Sequence, residues 1–283
     1  MKRLLLGSVW SFCIAYFLGA CSISPTPPAG DASLSLATKM GWIKDLIPPA
    51  ESSKFSLLTL RNSSRPINGA LWIYIEGDGH IWSGDYPSDD PTPIRAIGLE
   101  LALKQPEGAA AYLARPCQFI GASINPSCKP VLWNDERYSE AVVSTLNHGV
   151  DVLKAKVGAQ KIVLVGYSGG AALSLLLSAR RQDIVEIVTI AGNLDIDAWA
   201  SYHQLLPLRG SLNPLAFVNQ IQAIPQIHFV GDRDEVVPVS LTEGWAKRYP
   251  MSFYPTIIAL PENDHVCCWV EQWPNLWKQI PHR

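Results

Sequence analysis

The chain has 283 residues, 48% of them hydrophobic, and a formal net charge of −2. That length and apolar content can bury one full-sized core with at most a small lid, so a single main domain is expected. Basic residues are scattered and form no run, which excludes the electrostatic footprint of nucleic-acid binding.

At the N-terminus, Lys2 and Arg3 precede an apolar run over residues 4–17 that closes on Leu18-Gly19-Ala20-Cys21. A basic start, a short apolar stretch and small residues at its end read as a secretion signal. The stretch is too short for a comfortable bilayer span. Leu-Gly-Ala-Cys resembles the cleavage box of bacterial lipoproteins, which makes residues 1–20 a signal peptide and Cys21 the lipidated mature N-terminus. A plain cleaved signal and an uncleaved anchor are the alternatives. Ser22 stands where the lipoprotein sorting rule reads Asp as inner-membrane retention, so the resemblance implies a cell-envelope protein, lipid-anchored to the outer membrane and facing the periplasm. Residues 21–38 are rich in Ser and Pro and lack apolar periodicity, as expected of a flexible tether. One folded domain is expected over residues 39–283.

Strands are expected at residues 55–60, 71–75 and 110–114. Val142, Leu146, Val150, Leu153 and Val157 then recur at helical spacing, with Gly158 as the stop. A strand at 162–165 leads into a helical run from Ala171 through Leu177, followed by strands at 185–190 and 227–230. A helix near 241–248, a strand at 256–260 and a helix over 270–279 complete the chain. This alternation predicts an α/β fold, a mainly parallel central sheet with helices on both faces. The Pro-rich stretches 87–93 and 207–214 are expected as loops.

The sharpest motif is Gly166-Tyr167-Ser168-Gly169-Gly170, a G-x-S-x-G match. A bare match arises by chance in roughly one chain of this length in ten. Its position between an apolar strand and a helical run is what gives it weight. A strained strand-to-helix turn needs small flanks and lifts the serine hydroxyl off the sheet. Ser168 is therefore the candidate nucleophile.

A serine hydroxyl needs a base to take its proton and an acid to orient that base. His265, in Glu262-Asn263-Asp264-His265 after the last strand, is the candidate base, with His203 its main rival. Asp234 follows the 227–230 strand and precedes Val236-Val237-Pro238, and is the favoured acid. Asp232, Glu235 and Asp195 are the alternatives. Asp264 adjoins His265 in the chain, where side chains seldom meet in the required geometry.

Acyl transfer also needs donors where negative charge develops. The backbone N–H of Gly169, next after the nucleophile, is one candidate. The second is assigned to the N–H of Asp78 in Glu76-Gly77-Asp78-Gly79-His80, the loop after the 71–75 strand.

Strand, nucleophile turn, acid loop and final histidine occur in the order of the α/β-hydrolase superfamily across nearly all of residues 55–281, and the chain resembles that superfamily. Ile75-Glu76-Gly77-Asp78-Gly79, Arg115-Pro116-Cys117, Ala191-Gly192-Asn193-Leu194-Asp195, Gly210-Ser211-Leu212-Asn213-Pro214 and Asp264-His265-Val266-Cys267-Cys268-Trp269 extend the likeness to a group of bacterial lipoprotein-type serine hydrolases. Glu76 before Gly77 departs from the His-Gly oxyanion loop of lipases and esterases, which leaves the second donor open. The reading is a carboxylesterase-like serine hydrolase acting on a small or lipid-like acyl substrate, without a cofactor. Thioester, amide and peptide bonds pass through similar intermediates and stay within it. A non-catalytic envelope binding or scaffolding protein on the same fold is the alternative. The six histidines are dispersed without metal-ligand spacing, so no metal site is expected.

Beyond the signal and Cys21, four cysteines remain in an oxidising compartment: Cys117, Cys128, Cys267 and Cys268. Cys117 with Cys128 is the favoured disulfide, because a short loop containing Gly121 and Asn125-Pro126 separates them. Cys267 and Cys268 form a vicinal bridge or stay as buried thiols.

Overall fold

A computed structural model describes residues 30–51, 54–121 and 124–281. The signal peptide and Cys21 lie outside these residues. The strands are β1 (Ile43–Ile47), β2 (Leu57–Arg61), β3 (Ala70–Ile75), β4 (Trp82–Ser83), β5 (Tyr86–Pro87), β6 (Ala109–Leu113), β7 (Lys161–Tyr167), β8 (Ile184–Ile190), β9 (Gln226–Gly231) and β10 (Thr256–Leu260). The α-helices are α1 (Asp31–Lys39), α2 (Ile97–Leu103), α3 (Glu140–Val157), α4 (Gly169–Ser178), α5 (Ile196–Tyr202), α6 (Val218–Ile221), α7 (Val239–Ala246) and α8 (Trp269–Trp277).

Eight strands form one sheet in the order β1-β2-β6-β3-β7-β8-β9-β10, and β4 and β5 pair as a small hairpin outside it. β2 is antiparallel to both β1 and β6, while every pair from β6 to β10 is parallel. Such a sheet must be covered on both faces, and alternation along each strand sorts its side chains between two cores. Leu71, Ile73 and Ile75 of β3, with Ile162 and Leu164 of β7, pack with Val142, Leu146, Val150 and Leu153 of α3 and with α4. Trp72 and Tyr74 of β3, with Val163 and Val165 of β7, pack on the other face with α2 and with Trp273 and Trp277 of α8. Gly158 ends α3 in the left-handed conformation, φ 69°.

The folded body starts earlier than its composition suggests. Residues 31–38, assigned to the tether, belong to α1, which buries Ser33 and Ala37. Ser33 Oγ donates to Glu100 on α2 at 3.0 Å, so a contact 67 residues away in sequence holds a helix with little amphipathic signal of its own. β1 is a further unanticipated element, as are α2, α5, α6 and the β4–β5 hairpin. β1 is an edge strand whose residues are mostly exposed, so it carries no apolar run. No helix among the described residues is long and apolar enough to cross a membrane. Cys117 and Cys128 are joined with their Cα atoms 5.7 Å apart, and Cys267 is bridged to Cys268.

Leu146 is fully buried where α3 meets the sheet. Leu146→Ala is expected to lower unfolding free energy by about 3 kcal/mol in urea titration, through lost burial and a residual cavity.

Candidate active site

The carboxyl ends of β3, β7, β8 and β9 converge at one edge of the sheet, where open α/β sheets place their sites. The turn from β7 into α4 is the tightest part of this edge. Ser168 sits at φ 50°, ψ −121°, a strained conformation for a residue with a side chain. It is clamped from both sides: its N–H donates to the Ile190 carbonyl at 3.0 Å, and its carbonyl accepts from Asn193 N at 3.1 Å. The glycines around it have no space for a Cβ. One at Gly166 would strike the Ala171 backbone, and one at Gly170 the Ile75 carbonyl.

Ser168 Oγ lies 2.9 Å from Nε2 of His265, whose Nδ1 lies 2.9 Å from Oδ2 of Asp234. Asp234 is almost wholly buried in the turn after β9, and its Oδ1 accepts from Val236 N at 2.9 Å and Val237 N at 2.7 Å. One carboxylate oxygen is thus fixed by backbone and the other is left for the imidazole. The His265 loop is held by its own carbonyl, which accepts from Tyr167 Oη at 2.9 Å and from Trp269 Nε1 at 3.2 Å. Asp264 does not approach the imidazole as a partner; its Oδ1 takes the N–H groups of Val266 and Cys267 and shapes the turn.

The rival residues are engaged elsewhere. Asp195 caps α5, accepting from Ala198 N at 3.2 Å, and also accepts from Asn213 Nδ2. Asp232 and Glu235 are exposed in the loop around Asp234. His203 Nε2 lies 2.8 Å from the Val236 carbonyl. His228 is buried in β9 against Thr189 Oγ1, and burial pushes its pKa down to about 3.

Asp78 and Gly169 meet across the site: a Cβ on Gly169 would collide with the Asp78 carboxylate and with the Tyr138 hydroxyl. The Asp78 side chain anchors its loop. Oδ1 pairs with Arg115 Nη1, and Oδ2 with Arg137 Nη1 at 2.9 Å, while Tyr138 Oη donates at 2.9 Å. Burial alone would raise the Asp78 pKa, but the charges of Arg137 and Arg115 outweigh it and hold the carboxyl below the usual range. Gln118, also buried, donates through Nε2 to the carbonyls of Gly77 at 3.0 Å and Asp78 at 3.3 Å. In a trans peptide the N–H points opposite to the carbonyl, so these bonds fix the directions of the Asp78 and Gly79 N–H groups. Among the described residues no acceptor takes either of them, whereas the Gly77 N–H is spent on Glu76.

Glu76 explains the departure from a His-Gly loop. Its carboxylate receives Gly77 N, Gly98 N, Leu99 N and Tyr112 Oη, and so caps α2 from outside that helix. Burial raises its pKa, against the lowering effect of these four donors.

These side chains surround a cavity of about 390 Å³. Its walls include Ser168, His265, Asp78 and Gly169, with Ile81, Ile97, Trp199 and Val237 as apolar lining. Sequence reasoning missed Arg137, Tyr138 and Gln118. Arg115 stood in a noted motif without a role, and Arg137-Tyr138 carries no local pattern at all.

Asp78 forms an ion pair with each of two guanidinium groups that are about 95% buried. Asp78→Ala is expected to destabilise the fold by about 3–5 kcal/mol in chemical denaturation, because it strands two buried charges. Since its folded pKa lies below the unfolded value, the stability Asp78 supplies is complete above the ordinary carboxyl pKa and is lost as pH falls through the folded one. The acid limb of the wild-type stability profile, measured below about pH 4, is expected to flatten in Asp78→Asn.

No family model matches the chain, and no curated protein matches it in sequence. Solved structures do match in shape. An α/β serine hydrolase without a lid, from Xanthomonas campestris, aligns with TM-score 0.52 and 13% identity over 86% of this chain and 96% of that one. An esterase from Pyrococcus furiosus aligns with TM-score 0.57 and 17% identity, covering 84% and 87%. A putative α/β hydrolase from Agrobacterium tumefaciens gives TM-score 0.57 and 15% identity, covering 84% and 94%. With its strand order, its β7–α4 turn and these neighbours, the chain has the α/β-hydrolase fold.

Proposed function

We propose that the protein is a serine hydrolase that cleaves an ester-like acyl bond through an acyl-enzyme. The observation that carries this reading is the relay from Ser168 Oγ through His265 to Asp234, two contacts of 2.9 Å each on the wall of an apolar cavity. In this reading His265 Nε2 takes the Ser168 proton as Oγ attacks the acyl carbonyl carbon. The carbonyl π pair moves onto oxygen, where the N–H groups of Gly169 and Asp78 receive it. Collapse of the tetrahedral intermediate expels the alcohol, which leaves with the proton held by His265. A water molecule then gives a proton to the same imidazole, attacks the acyl-enzyme and releases the acid, restoring Ser168. Asp234 keeps the Nδ1 proton directed at itself and stabilises the imidazolium in both steps. The solved structures of similar shape include enzymes described as serine hydrolases and esterases, which supports the same class of chemistry.

We also propose that Cys21 carries lipid and that the body works at the bacterial envelope, on the outer membrane's periplasmic face. The support is the Leu18-Gly19-Ala20-Cys21 box behind a basic, apolar leader. Several acyl chains on one residue hold a protein firmly to a bilayer. Cys21→Ser is expected to accumulate as unprocessed precursor or to leave the membrane fraction; unchanged processing and detergent partition would remove the anchor.

Turnover of short acyl esters tests the chemistry. Ser168→Ala and His265→Ala are each expected to lower kcat by at least about 10⁴-fold, and the double variant by no more than the single ones, since both disable one proton-coupled attack. Asp234→Asn is expected to cost less than Ser168→Ala. Asp195→Asn and Asp232→Asn are expected to retain activity within a few-fold. Full activity in folded Ser168→Ala would contradict the reading.

A further inference from the structure

Gly30 is buried beside the segment that carries Ile94, a residue of the cavity wall. Its N–H donates to the Ile94 carbonyl at 3.4 Å, and its backbone leaves no space for a Cβ beside Phe119 and Thr92. Ile94 itself lines the cavity and is 72% exposed. Gly30 stands nine residues after Cys21, a stretch that spans at most about 30 Å even when fully extended. A body of this size has a radius of gyration near 18 Å, hence a diameter of roughly 45 Å. A lipid on Cys21 therefore cannot let the far side of the body turn to the bilayer. The face that carries Ile94 and the cavity mouth lies next to Gly30 and so falls within reach.

Large apolar groups stand in the open around the cavity mouth, as they also do at Met251, Phe253 and Tyr254 before β10. Val236 and Val266 line the cavity and are exposed, like Ile94. The β4–β5 hairpin follows Ile81, another lining residue, and presents Trp82 and Tyr86, the latter 78% exposed. On the opposite wall Trp199 donates to the Val236 carbonyl, and beyond the end of its helix Leu206 is 84% exposed. Apolar rims of this kind mark interaction surfaces, and Trp and Tyr suit the boundary between water and lipid. The hairpin region also carries the exposed carboxylates of Asp85, Asp89 and Asp90. Attraction to an anionic lipid surface would meet repulsion there.

We propose that the rim of the cavity docks on the bilayer to which Cys21 is anchored, through apolar contact with zwitterionic phospholipid, so that the site draws its acyl substrate from that membrane. The proposal rests on the lipid anchor and on the hydrolase reading of the same cavity. Its test uses the full processed chain in phosphatidylcholine vesicles containing a diazirine-bearing phosphatidylcholine, with photo-crosslinks located by peptide mass spectrometry. Crosslinks are expected to concentrate on peptides carrying Trp82, Tyr86, Ile94 and Leu206, and to persist at high salt. Tyr86→Asp combined with Leu206→Asp changes two highly exposed side chains that do not line the cavity. This variant is expected to lose most crosslinks and about tenfold in hydrolysis of a long-chain ester embedded in the vesicle, a loss of ~1.4 kcal/mol. Its turnover of a water-soluble acetyl ester is expected to be unchanged.

The proposal is overturned by crosslinks that stay on the N-terminal segment or spread over α3 and α7. It is also overturned by docking that requires anionic lipid, or by equal effects of the variant on the two esters. The mass of the N-terminal peptide reports Cys21 independently, and an unmodified Cys21 removes the tether and overturns the proposal. Wild-type turnover of the soluble ester reports the hydrolase chemistry independently; its absence overturns the delivery of acyl substrate, while the crosslinks still decide the docking.

Discussion

α4 approaches the ends of β3 and β7 too closely for any side chain to stand between them, and the site is arranged around that contact. Gly170 meets the Ile75 carbonyl and Gly166 the first turn of α4, so neither position admits a Cβ. This contact forces the chain to reverse within one residue, and Ser168 takes up the strain at φ 50°. The hydroxyl is thereby lifted above the sheet, and the first N–H groups of α4, which have no partner within the helix, face the same opening. The strain is held in place by packing, because all ten residues of α4 are buried and its leucines fill one of the two cores.

A second layer of buried polar groups fixes the loop across from the turn. Asp78, Arg115, Arg137 and Tyr138 come from three separate stretches of chain and are mutually satisfied. Gln118 holds the loop's carbonyls, and the Cys117–Cys128 bond closes the segment that carries it. Glu76 ties the start of the same loop to α2. In a low-dielectric setting such groups are costly when unpaired, so the network specifies one loop conformation rather than adding much net stability. This division of labour leaves the Asp78 and Gly79 N–H groups without acceptors among the described residues.

Much of this was legible in the sequence, for identifiable reasons. The central strands are covered on both faces, so β3, β7, β8 and β9 read as apolar runs, and α3 carries a clean stripe from Val142 to Leu153. Ser168, Asp234 and His265 stand after β7, β9 and β10 of a parallel sheet, whose carboxyl ends lie on one edge; order in the chain therefore translated into proximity. Cys117 and Cys128 lie only 11 residues apart in one loop. What escaped depends on distant partners. α1 and α2 are short and owe their place to Ser33, Glu100 and Glu76 rather than to periodicity. Edge strand β1 lacks an apolar face. Arg137 and Tyr138 meet a carboxylate some sixty residues earlier in the chain, and no local spacing announces that.

The central claim is that Ser168 is made nucleophilic by His265 and Asp234. The most direct measurement is covalent labelling of the folded protein by a fluorophosphonate, with the modified residue located by peptide mass spectrometry. The account predicts one adduct, on Ser168, whose formation is abolished in His265→Ala. An adduct on another residue, or labelling of Ser168 at an undiminished rate in folded His265→Ala, would contradict it.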